Sequence, residues 1–143
     1  MRIKNKVLSI VEKYGTNCPF ELAEKMNIEI ILEPLQSINI LGLYMIIEDH
    51  KIIVCNSFLV PESQNVILAH ELGHAVMHEG MNMFFIQDHT LFPSGKFEYQ
   101  ANTFAAELII PDQLLIQYAG YTTSEIASIE NIHPELFKYK KLI

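Results

Sequence analysis

The stretch Ile67-Leu68-Ala69-His70-Glu71-Leu72-Gly73-His74-Ala75-Val76-Met77-His78 constrains this chain more than any other, because it joins helical periodicity to side chains that do chemistry. On a helix, side chains four apart lie on one face, one turn apart, so His70 and His74 present their imidazoles to a single point. Leu68, Leu72, Ala75 and Val76 recur at three- and four-residue steps and give the same helix an apolar stripe to bury. Such a helix has to lie against a core while carrying a polar, metal-competent face.

His70-Glu71-x-x-His74 is the H-E-x-x-H pattern of zinc peptidases, in which both histidines ligate the metal and the glutamate, here Glu71, acts as general base. His78 continues the histidine face, but at 1.5 Å rise per residue it lies about 9 Å beyond a cation held midway between His70 and His74. It is read as solvent-facing and outside the ligand set, with an outer-partner or substrate-facing role as the alternatives. A third ligand has to come from elsewhere.

Residues 97–111 predict a second helix, closed by Pro111. Two carboxylates on it compete for the third position. Nine residues at about 100° each place Glu98 and Glu107 on opposite faces. Glu98 shares its face with Ala101, Ala105 and Asn102, and the small alanines permit the close helix approach that a short ligand bridge requires. Glu98 is therefore the expected third ligand, and Glu107 is read as a solvent-facing charge. Asn102, one turn beyond Glu98, is placed to hydrogen-bond the outer nitrogen of a ligand histidine and fix its ring.

The rest of the chain supplies a scaffold. Its 143 residues, half of them hydrophobic, are enough for one domain with one substantial core. Helices are expected over residues 2–14 and from Pro19 to Asn27, and strands over 28–32, 41–47 and 51–56, with Asp49-His50 as a hairpin turn. The result is an α+β arrangement: residues 1–60 form helices and a small three-stranded sheet, 61–111 the two metal-binding helices with an intervening loop, and 112–143 a helical tail. Loop residues 79–96 hold Met81, Met83, Phe84, Phe85, Leu91 and Phe92, read as a lid, a partner site or a return to the core. In the tail, two short helices flank Asn131-Ile132-His133, the first capped by Thr123 or Ser124, and Lys138, Lys140 and Lys141 read as a solvated helix end rather than a DNA contact.

A net charge of -7 disfavours nucleic acid as a partner. Cys18 and Cys55 stand in no metal or disulfide spacing, which fits a reducing cytoplasm. The first residues lack the apolar core of a signal peptide, and no run approaches the roughly 18 apolar residues of a membrane span.

His70-Glu71-Leu72-Gly73-His74, followed by Glu98-x-x-Ala101-Asn102-x-Phe104-Ala105-Ala106-Glu107-Leu108-x-x-Pro111, resembles the ImmA/IrrE family of metallopeptidases. The likeness extends more loosely to Pro19-x-x-Leu22-Ala23, to Gly42 and to the hairpin ending at Asn56; Ile109-Ile110 is a conservative departure. The resemblance implies a zincin-like core, a cytoplasmic bacterial, phage or mobile-element setting, zinc bound by His70, His74 and Glu98, and Glu71 as catalytic base. It also implies a substrate, a helix-turn-helix repressor cut at one site. The competing expectation is a zinc-loaded module that binds a repressor, or serves in a toxin-antitoxin pair, without cutting. For a peptidase, Leu43-Tyr44-Met45-Ile46 is the expected sheet edge for an extended substrate, and Tyr44, Tyr99 and His89 are the candidate oxyanion partners.

Overall fold

Apolar periodicity sets the order of elements. The first two helices are α1 (Ile3–Tyr14), closed by Gly15 at φ 73°, and α2 (Pro19–Lys25), with proline in its first turn. Three strands follow, β1 (Ile28–Glu33), β2 (Ile40–Ile47) and β3 (His50–Asn56), then α3 (Pro61–Met77), β4 (Met83–Ile86) and α4 (Lys96–Ile109). The chain continues through α5 (Asp112–Gln117), α6 (Thr123–Glu130) and a 3₁₀ helix, Pro134–Tyr139. The computed structural model describes residues 2–35, 40–78, 80, 83–86, 92 and 95–141, with backbone alone for 40 and 83–86.

The α+β class stands, and the sheet gains a strand. Its order is β1-β3-β2-β4, with β1 parallel to β3 and the other pairings antiparallel. β4 falls inside the segment that the sequence left as loop, since four residues are too few to display alternation. Its pairing with β2, Leu43 opposite Phe84, encloses β2 on both sides. Leu43–Ile46 is therefore not an edge, and β4 is an outer strand instead. The hairpin also turns one residue earlier than expected. Glu48 and Asp49 both take positive φ, 49° and 69°, as a two-residue primed turn requires, and His50 already pairs with Ile47.

Gly42 brings helix and sheet together. A Cβ there would come within 2.5 Å of Ile67 Cγ2 and 3.0 Å of the Val54 carbonyl oxygen, so only glycine lets α3 lie this close. Gly42 pairs with Cys55 and Tyr44 with Ile53, which puts all four on the face that meets α3; Tyr44, Ile53 and Cys55 are fully buried. On α3, every residue from Val66 to Ala75 is buried. That is wider than the stripe read from the sequence, because α4 covers the side of α3 that the sheet leaves open.

The far side of α4 anchors the tail. Glu107 is buried rather than solvent-facing: its carboxylate accepts from Lys140 Nζ at 2.6 Å and from the Lys141 backbone N–H at 3.2 Å. Lys140 is likewise buried and also bonds Asp112 at 2.7 Å, while Asp112 pairs with Lys4 of α1 at 2.7 Å. The cap of α6 is Thr122, in a reciprocal capping box with Glu125, one residue before the expected position. Among the described residues, no helix is long and apolar enough to cross a membrane.

Candidate metal centre

Two helices bring the site together. α3 offers His70 and His74 one turn apart, and α4 offers Glu98 in its first turn, where the helix dipole favours a carboxylate. His70 Nε2 and His74 Nε2 are 3.1 Å apart, and Glu98 Oε1 lies 2.5 Å from the second and 3.5 Å from the first. These separations approach the edge of about 3.3 Å expected between ligands set about 2 Å from a tetrahedral cation. The donor atoms of His70, Glu71 and His74 also fall within 4.8 Å of one another.

Hydrogen bonding tests whether a cation fits. Among the described residues, Glu98 Oε1 and both carboxylate oxygens of Glu71 are buried without a hydrogen-bond partner. Glu98 Oε1 is nevertheless in contact with the His74 nitrogen. On the outer side of His70, Nδ1 lies 2.7 Å from Asn102 Oδ1. That amide oxygen accepts only, so the His70 proton belongs on Nδ1 and its Nε2 lone pair faces inward. Two imidazole nitrogens and a carboxylate oxygen thus crowd one point. A cation there relieves the crowding, and one carboxylate with two imidazoles suits a divalent transition ion.

The electrostatics follow from burial and proximity. Burial, and then the negative charge of Glu98, push the Glu71 carboxyl well above the ordinary carboxylate range. Burial also pushes Glu98 upward, but the close approach of His70 and His74 outweighs it and holds Glu98 at about 2. His74 moves downward, chiefly through burial, against the raising influence of Glu98, and so is biased to the neutral form a metal ligand needs.

Comparison with known proteins places this geometry. Residues 23–136 match the sequence profile described as the IrrE N-terminal-like domain, a peptidase family. The chain belongs to the ImmA/IrrE metallopeptidases. It is 39% identical over 142 residues to an uncharacterized immunity region protein of Bacillus phage phi105, covering 98% of this chain and 89% of that one. It is 32% identical over 142 residues to metallopeptidase ImmA of Bacillus subtilis strain 168, covering 96% and 83%.

In this ImmA/IrrE chain His70, His74, Glu98, Glu71 and Asn102 come together, while the expectation for His78 changes. His78 is buried, not solvent-facing: its Nδ1 lies 2.9 Å from His74 Nδ1 and its Nε2 2.8 Å from Gln100 Oε1. His78 meets the outer nitrogen of His74, a reach that its distance along the helix axis does not reveal. Gln100 was not singled out at all, although it stands on the helix already chosen to face α3. Of the oxyanion candidates, Tyr44 is fully buried, Tyr99 is 57% exposed, and His89 lies outside the described residues.

Proposed function

We propose that this metallopeptidase is a zinc-dependent endopeptidase that cuts a helix-turn-helix repressor at one site, acting in the cytoplasm as a single zincin-like domain spanning residues 1–143. One observation carries the reading: the inward convergence of His70, His74 and Glu98 beside a buried, unpartnered Glu71. His70, His74 and Glu98 would hold the zinc, with Asn102 fixing the His70 ring. Bound there, zinc supplies Lewis acidity, activating water near neutral pH and polarising a peptide carbonyl.

The remaining work falls to the chain itself. Glu71, whose proton affinity is raised by burial and then by the charge of Glu98, takes the proton of the attacking water and delivers it to the leaving amine. An extended substrate segment adds to the outer strand β4 by main-chain hydrogen bonds, in place of the enclosed β2. Tyr99, next to Glu98 in the chain, exposed and edge-on to Tyr139 at 5.6 Å, is the described hydroxyl candidate for steadying the carbonyl oxygen.

The repressor rests on the family resemblance and on kinship with a phage immunity region protein. A non-cleaving module has no use for Glu71, since an unsatisfied buried carboxylate costs stability. The test incubates the purified protein with the helix-turn-helix regulator encoded nearest to it, with and without chelator, and maps fragments by mass spectrometry. Metal-dependent cleavage at one bond is expected. An intact regulator in the presence of metal-loaded protein overturns the proposal.

A further inference from the structure

α4 carries more than the carboxylate facing α3. Asn102 Oδ1 accepts from the outer nitrogen of His70, and Gln100 Oε1 stands 2.8 Å from His78 Nε2, with His78 Nδ1 in turn 2.9 Å from His74 Nδ1. His78 is buried, and its ring packs edge-on against Phe97 at 4.7 Å between centroids. A neutral imidazole has one N–H and one lone pair, so the direction of one hydrogen bond in this chain sets the direction of the next. With Gln100 Oε1 accepting, His78 carries its proton on Nε2 and offers a lone pair at Nδ1. His74 must then donate from Nδ1, which leaves its Nε2 lone pair facing inward.

We propose that His78 and Gln100 are positioning residues that lock His74 in its metal-binding tautomer. The inference rests on the reading of His74 as a ligand. Turning the Gln100 amide over would reverse both bonds, move the His74 proton to Nε2 and close the coordination site. His70 needs no relay, because Asn102 reaches it directly. One helix therefore fixes the tautomer of both histidines of the other, through Asn102, Gln100 and His78, which lie outside the ligand set.

The test measures zinc affinity by competition with a chromophoric chelator for wild type, Gln100→Met, Gln100→Glu, His78→Phe and His74→Ala. Long-range ¹H–¹⁵N spectra of the zinc-loaded wild type report each histidine tautomer. Gln100→Met and His78→Phe are expected to weaken zinc binding about 10–100-fold, the usual effect of removing an outer partner of a ligand. Gln100→Glu, which can only accept, is expected to restore near-wild-type affinity. The spectra are expected to place the proton of His74 on Nδ1 and that of His78 on Nε2.

Wild-type affinity in both Gln100→Met and His78→Phe, or a His78 proton on Nδ1 in the zinc-loaded protein, overturns the relay. Wild-type affinity in His74→Ala overturns instead the ligand assignment on which it rests. If His78→Phe does not fold, the two Gln100 variants and the spectra decide the matter.

Discussion

Gly73 of α3 lies against Phe104 of α4 with no room for a side chain: a Cβ at Gly73 would sit 3.0 Å from Phe104 Cβ and 3.1 Å from its Cγ and Cδ1. The contact sets the spacing of the two helices that carry the inward-facing atoms. Gly73→Ala gains about 1 kcal/mol of helix propensity but overpacks the interface by about 1–3 kcal/mol. The melting temperature is therefore expected to move by only a few degrees, while zinc affinity falls about tenfold as α4 is pushed outward. At Gly42 the obstruction includes backbone, so Gly42→Ala is expected to lower the melting temperature further. Calorimetry beside chelator competition checks both, and unchanged zinc affinity in a folded Gly73→Ala protein contradicts the first.

Glu71→Gln separates metal binding from chemistry. Zinc content is expected to stay at the wild-type level while cleavage drops by about 10²–10⁴-fold, the usual contribution of a general base. Cleavage persisting in the zinc-loaded variant would refute the role assigned to Glu71.

The same substitution has a signature in the metal-free protein. The folded-state pKa of Glu71 is raised, so its contribution to stability is fully present below the ordinary carboxylate value of about 4.5 and is lost as pH rises through the folded value. Glu98 works in the opposite sense: held at about 2, it contributes above the ordinary value and ceases to as pH falls toward 2. Metal-free Glu71→Gln is thus expected to lose the decline in melting temperature above about pH 4.5 that Glu71 contributes in the metal-free wild type. Parallel slopes in the two proteins would contradict the assignment.

Cys55 is sealed beneath α3. Burial first, and then the charge of Glu71, push its thiol up to about 12, which leaves about one thiolate in ten thousand at pH 8. Iodoacetamide is expected to modify the partly exposed Cys18 in the native protein and both cysteines after denaturation. Mass spectrometry after a timed quench reads the result, and equal native labelling of the two would count against it.

Lys140 neutralises a buried carboxylate. Lys140→Ala strands Glu107 and is expected to destabilise the fold by about 3–5 kcal/mol, on the order of 10 °C in melting temperature. The double variant Lys140→Met/Glu107→Leu is expected to recover most of the loss, because no charge is then left unpaired. An undiminished melting temperature in the single variant would mean that the pair carries no such weight.

Local features were legible in the sequence and relational ones were not. The His70–His74 spacing and the helical period reinforce each other within a few residues, so α3 and its polar face can be read directly. The opposition of Glu98 and Glu107 follows from helical angle alone. The fate of Glu107 does not, because its partner Lys140 stands 33 residues away. Whether β2 is an edge depends on β4, which at four residues carries no periodicity of its own. α5, six residues directly after Pro111, is too short to announce itself. Distance along the axis does not disclose that the two nitrogens of His78 meet His74 and Gln100, because Gln100 stands 22 residues away.

Glu98, Asn102 and Gln100 travel on a single rigid element. A displacement of α4 by an ångström or two withdraws the Glu98 carboxylate from His70 and His74 and unclasps both imidazoles in the same motion. On the proposed ligand set the centre is consequently all-or-none, and prising α4 from α3 is expected to disarm the protein outright.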